Sequence, residues 1–151
     1  MRLAKSFHPA IAATMAAALL SISLPAAAQD SSYTPGTVWQ FSNIEVEPGQ
    51  FEKYIDYLAG NWRKVNELSK KEGMVVSYHV FTVNDARRDE PNLILAVEYK
   101  DYYSNAQQMA MQKKIEAMLA TDAHKMDAAS GERKVLRKVI GGMQLQELLL
   151  K

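Results

Sequence analysis

The chain has 151 residues, of which 48% are hydrophobic and 23% charged, with a formal net charge of +1 and no cysteine. The missing cysteine excludes disulfides, thiolate nucleophiles, Cys-ligated zinc or iron–sulfur centres and an acylated N-terminal cysteine. A net charge this small excludes the broad positive field on which non-specific nucleic-acid binding depends.

The first element is a targeting signal. Arg2 and Lys5 precede an uncharged apolar stretch from Ala10 to Leu24, followed by Pro25 and Ala26-Ala27-Ala28. A positive n-region, an h-region too short to span a membrane and small residues at −3 and −1 make up a secretory signal peptide, with cleavage expected after Ala28. Residues 1–28, His8 among them, therefore drop out of any argument about fold or site. Their removal takes two basic residues and no acidic one, leaving sixteen against seventeen and a mature net charge of −1. The product is expected in the periplasm of a Gram-negative source, or otherwise outside the cell. No later apolar stretch reaches the roughly 18–20 residues of a transmembrane helix, so no stable membrane insertion is expected.

About 123 residues then remain for one domain, within the usual single-domain size. Residues 29–36 (QDSSYTPG) are polar with Pro and Gly and read as a flexible leader, so structure is expected over 37–151. Thr37 to Val46 is β-branched and aromatic and predicts a strand that stops at Pro48-Gly49. From Phe51 the apolar positions Tyr54, Ile55, Leu58, Trp62, Val65 and Leu68 recur at helical spacing, with Gly60 as a weak point and Gly73 as the stop.

Met74 to Val83 predicts a second strand, Asn84 to Asn92 a charged connection, and Leu93 to Lys100 a third strand. The strands around Met74 and Leu93 are apolar on both faces, which predicts a sheet covered on both sides. Asp101 or Ser104 is placed to cap a second helix whose inner side would carry Met111, Ile115, Met118, Leu119 and Met126. A break over Ala128 to Gly131, a short basic helix with Val135, Leu136, Val139 and Ile140 on one side, a stop at Gly141-Gly142 and a final strand from Met143 to Leu150 complete the chain.

The order is βαββαβ with a short extra helix before the last strand, an α+β ferredoxin-like antiparallel sheet with helices on one face. On this order, and on the junction Val46-Glu47-Pro48-Gly49-Gln50-Phe51 leading into a helix with Tyr54, Leu58 and Trp62, the chain resembles the dimeric α/β-barrel superfamily. That superfamily includes antibiotic-biosynthesis monooxygenase-like and stress-responsive barrel proteins. The resemblance implies a homodimer whose two sheets face each other around a cavity. It implies no single reaction, because one fold of this kind carries many. The haem-degrading branch uses a histidine, an asparagine and a tryptophan. Asn43, Trp39, Trp62 and His79 do not align with that pattern, so the activity is not carried over.

Candidate chemistry is sparse. His79 lies mid-strand and shares a face with Ser77 and Phe81. It is either a general acid/base at a cavity or a hydrogen-bonded histidine of a sheet or dimer interface. Glu98 alternates with Leu93, Leu95, Val97 and Tyr99, so it faces a cavity if those residues pack on helices. The two form the candidate catalytic pair. Glu45 and Glu147 are further strand carboxylates.

Trp39, Phe41, Tyr78, Phe81 and Tyr99 are candidates for an apolar wall around a small apolar or aromatic ligand, or else ordinary core. His124 and Asp127 share a helix face, but nothing supplies a third ligand, so no metal site is expected. Glu132 to Lys138 reads as a solvated basic face rather than a lipid or polyanion surface. With no nucleotide, thiol or metal motif, no cofactor is expected. Three functions remain open: an exported homodimer that binds a small molecule, a cofactor-independent monooxygenase-like or isomerase-like enzyme, and a structural or interaction protein without a ligand.

Overall fold

A computed structural model describes residues 30–151; the expected signal peptide lies outside them. The elements are strands β1 (Tyr33–Val46), β2 (Val75–Thr82), β3 (Leu93–Tyr99) and β4 (Arg137–Leu150), and helices α1 (Phe51–Tyr57), α2 (Arg63–Lys71), α3 (Asn105–Leu119) and α4 (Ala123–Glu132). The four strands form one antiparallel sheet in the order β2-β3-β1-β4. That is the ferredoxin-like arrangement, an α+β fold.

Alternation along the strands sorts the sheet into two sides. Val38, Ile44 and Val46 of β1 and Leu93, Leu95 and Val97 of β3 are buried. Most of these pack with Tyr54 of α1 and Leu58, which opens the helical turn between α1 and α2. This is the helix side. Trp39, Phe41 and Asn43 of β1 and Ile94, Ala96 and Glu98 of β3 alternate with them and face the other, open side.

Between α1 and α2 the helix relaxes into a π-helical turn, Leu58–Trp62, centred on Gly60. The apolar stripe survives this widened turn: Leu58 is buried and Ile55 and Trp62 pack against the core. Ser104, not Asp101, caps α3, in a capping box in which its hydroxyl accepts from the Gln107 amide and the Gln107 side chain returns to the Ser104 amide. Met111 and Ile115 are buried as the spacing predicts, whereas Met118 is exposed.

Three expectations need correction. β1 begins at Tyr33, inside the stretch 29–36 read as a leader, because Tyr33, Thr34 and Pro35 pair with Leu150, Leu149 and Leu148. No proline-free local pattern announces such a strand; a partner more than a hundred residues away does. The helical break falls at Ala120, in left-handed backbone, rather than over Ala128 to Gly131. The short extra helix before the last strand is accordingly α4, followed by a single 3-10 turn, Arg133–Val135.

Residues 137–142, expected to finish a helix, instead belong to β4. Gly141 and Gly142 are not a stop but lie opposite Asn43 and Ser42. A Cβ at position 142 would sit 2.7 Å from the Phe41 carbonyl oxygen, so glycine permits this close approach of two strands.

Candidate functional site

Two polar arrangements stand out, one on each side of the sheet. On the open side, β2 pairs with β3 so that Ser77 lies opposite Glu98 and His79 opposite Ala96. The Ser77 hydroxyl donates to Glu98 Oε2 at 2.6 Å, and His79 Nε2 lies 3.2 Å from Ser77 Oγ. A serine hydroxyl has one proton, here given to an acceptor-only carboxylate. Where His79 bonds the Ser77 oxygen, it does so as the donor, through Nε2–H. The result is a chain from carboxylate through hydroxyl to imidazole.

A lane of rings surrounds that chain. Trp39 and Phe41 stack at 5.9 Å, Trp39 and His79 at 6.2 Å, and His79 and Phe81 at 5.6 Å, all within 22° of parallel. Trp39 on β1 and His79 on β2 meet across the intervening β3. This is possible because the residue beneath them is Ala96, whose methyl is completely covered. The lane ends in uncovered apolar surface: Phe81 is 48% exposed, and Met143 and Leu145 on β4 are 48% and 49% exposed.

The five aromatic candidates therefore do not form one wall. Trp39, Phe41 and Phe81 are on the open side, but Tyr78 and Tyr99 are on the helix side. Tyr78 lies opposite the buried Val97, packs edge-on against Trp62 and donates to Glu67 on α2, a bond that raises its pKa. The reason is strict alternation: Tyr78 is adjacent to His79, and Tyr99 adjacent to Glu98.

On the helix side, a cleft of about 430 Å³ opens between the sheet, α2 and α3. Its floor includes Val38 and Gln40 of β1, Tyr99 of β3 and Gln144 of β4; its walls include Asn66 and Ser69 of α2 and Gln108, Met111 and Gln112 of α3. Asp101, Tyr102 and Tyr103, from the β3–α3 connection, stand at one end. The Tyr103 hydroxyl donates to the Met74 carbonyl at 2.8 Å, and Tyr99 packs edge-on to Tyr103 at 6.2 Å. Burial raises the pKa of Tyr99, and the neighbouring Tyr103 adds to the effect, so the phenol stays protonated.

Gln40 and Gln144 are paired across β1 and β4 on the helix side, Gln40 half-buried and Gln144 exposed, where the cleft opens to solvent. This cleft is the part of the site that strand-by-strand reading missed. The available signal was the QxQ spacing of Gln144 and Gln146 in a strand otherwise rich in leucine. The His124–Asp127 pair sits on α4, and among the described residues no group of three or more His, Cys, Asp or Glu comes together to hold a metal.

No family model matches this chain, and no curated protein does. Among solved structures it is similar to a protein from Shewanella loihica PV-4 described as a "putative monooxygenase", at 14% identity and a TM-score of 0.40, over 78% of this chain and 96% of that one.

Proposed function

We propose that the chain is an exported, homodimeric member of the dimeric α/β-barrel superfamily that binds a small molecule in the cleft between the sheet and α2/α3. The observation that carries this reading is the pair Gln40 and Gln144 on the helix side of the sheet, at the floor of that cleft. Gln40 is half-buried and Gln144 exposed, so the floor opens to solvent and presents polar amide groups to an entering molecule. The volume falls in the range of small-molecule sites. Native mass spectrometry of the gently purified protein is expected to show a retained small molecule, and Gln144→Leu to release it. A protein that carries nothing, and whose cleft residues respond to no compound in an NMR fragment screen, refutes the reading.

Dimerisation is supported by the exposed Phe81, Met143 and Leu145 on the open side and by the β1–β4 ribbon beyond Val38, which pairs with no third strand. Packing two such sheets face to face at about 10 Å would cover both. Light scattering is expected to give twice the chain mass, and a monomer at micromolar concentration would reject the dimer. Export predicts a mature N-terminus at Gln29, read directly by mass spectrometry.

One observation favours a second reading, cofactor-independent acid/base chemistry on the open side. In the Glu98–Ser77–His79 chain, His79 Nδ1 would accept a proton while Glu98 stabilises the resulting imidazolium through Ser77. Nitrogen-15 NMR of His79 is expected to show the Nε2–H tautomer, converting on Ser77→Ala. An Nδ1–H tautomer in the unaltered protein would dismiss this role.

A further inference from the structure

The cleft lining has a one-sided chemistry. Among the described residues it includes no lysine, arginine or histidine, but it does include the Asp101 carboxylate and three tyrosines. Three of the amides that line it each use one N–H on a backbone carbonyl. Asn66 Nδ2 bonds the Trp62 carbonyl at 2.9 Å, Gln108 Nε2 the Tyr103 carbonyl at 2.9 Å and Gln40 Nε2 the Phe41 carbonyl at 3.3 Å. Each partner is a carbonyl that can only accept, which fixes which end of the amide is nitrogen and leaves its oxygen and second N–H available. The cleft thus offers neutral amide and phenol groups and a single carboxylate, with no cationic side chain among its described lining residues. A carboxylate or phosphate would meet no counter-charge there, and Asp101 would repel it.

The aromatic end supplies the complementary part. Tyr99 and Tyr103 stand at 72° to each other, two walls of a corner, and the bond from Tyr103 to the Met74 carbonyl holds one wall in place. Tyr102 follows in the chain at the same end, and Asp101 Oδ1 accepts from the Tyr102 amide at 2.7 Å, which fixes the carboxylate beside the rings. Ring faces attract cations within about 6 Å of their centroids, and a nearby carboxylate adds a direct charge attraction.

We infer that the cleft takes a small organic cation, an alkylammonium or quaternary ammonium group seated in the corner of Tyr99, Tyr102 and Tyr103 with Asp101 as its counter-charge. This rests on the reading of the cleft as a ligand site and adds the charge class of the ligand. Choline and its uncharged isostere 3,3-dimethylbutan-1-ol differ in charge at nearly constant shape, and 4,4-dimethylpentanoate supplies an anion of similar bulk.

The test titrates each of the three into isotopically labelled full-length chain, following the Met111 methyl and the Gln144 side-chain amide. Choline is expected to bind at least about tenfold more tightly than the alcohol, with no binding of the carboxylate. Asp101→Asn, at an exposed position, is expected to weaken choline about tenfold and leave the alcohol unchanged, and Tyr102→Ala to weaken choline with the fold intact by circular dichroism. If the alcohol or the carboxylate binds in the cleft as well as choline, the cation assignment is wrong and the ligand site stands. If none of the three shifts either reporter, the cation assignment falls; if a broad fragment screen is silent as well, so does the ligand site.

Discussion

β3 and β4 have similar leucine-rich sequences, LILAVEY and MQLQELLL at the end of β4, yet they meet opposite environments. β3 lies between β2 and β1; Leu93 and Ala96, on its two sides, are both wholly covered. β4 is an edge strand exposed on both sides, with only Arg137 and Gln146 partly shielded. Hydrophobicity therefore reports that a strand will be covered, not by what. In β3 the cover is the chain's own helices and rings. In β4 the apolar surface is left for an outside partner, the edge-strand hazard that natural sheets must manage.

Substitutions can break this contrast, starting with the largest effect. Leu93→Ala in β3 removes a fully buried side chain and is expected to cost about 3 kcal/mol, seen as an earlier midpoint in urea unfolding with little change in slope. An effect below about 1 kcal/mol would mean that β3 is less tightly covered than its burial implies. Gly142→Ala probes the seam between β4 and β1, where the new methyl meets the Phe41 carbonyl. It is expected to cost about 1–3 kcal/mol, and thermal melting will show whether the seam can open without loss.

The double substitution Met143→Glu with Leu145→Glu reverses the pattern. Both side chains are about half exposed, so the single-chain fold is expected to change by no more than about 0.5 kcal/mol. The dimer, measured by sedimentation, is expected to dissociate. Unfolding of the chain together with loss of the dimer would show that β4 belongs to the fold as fully as β3.

The smallest effect concerns α4. Its N-cap carboxylate, Asp122, accepts from the Lys125 backbone amide, and that bond lowers its pKa below the ordinary carboxylate value. A lowered folded pKa means the cap stabilises the helix above about pH 4 and is lost as the pH falls through the folded value. The Lys125 amide resonance should follow this titration. A Lys125 shift that titrates at the ordinary carboxylate pKa would remove the cap.

Much of this was legible in the residues. Where a pattern was local, as in the helical stripe from Phe51 to Leu68 or the alternation that separates Glu98 from Leu93, Leu95 and Val97, the elements appear where the spacing predicts. Alternation also put Ser77 and His79 on one side, although nothing local could say that β2 pairs with β3 in the register that sets Ser77 against Glu98. The miss over residues 137–142 has a physical cause: ERKVLRKVI satisfies a helical stripe, but from Arg137 on pairing with β1, twelve residue pairs in all, outweighs a propensity of a few tenths of a kcal/mol per residue.

The sequence by itself determined the α+β order, the two-sided strands and which residues of one strand share a side, because these depend on periods of 2 and 3.6 residues along one chain. Tertiary structure alone decided which alternating set of each strand faces the helices, that Ala96 lets two rings meet above it, and that Gln40 and Gln144 floor a cleft. Those outcomes depend on which distant segments become neighbours. Register and layer packing set that, and neither is written in the spacing of any one strand.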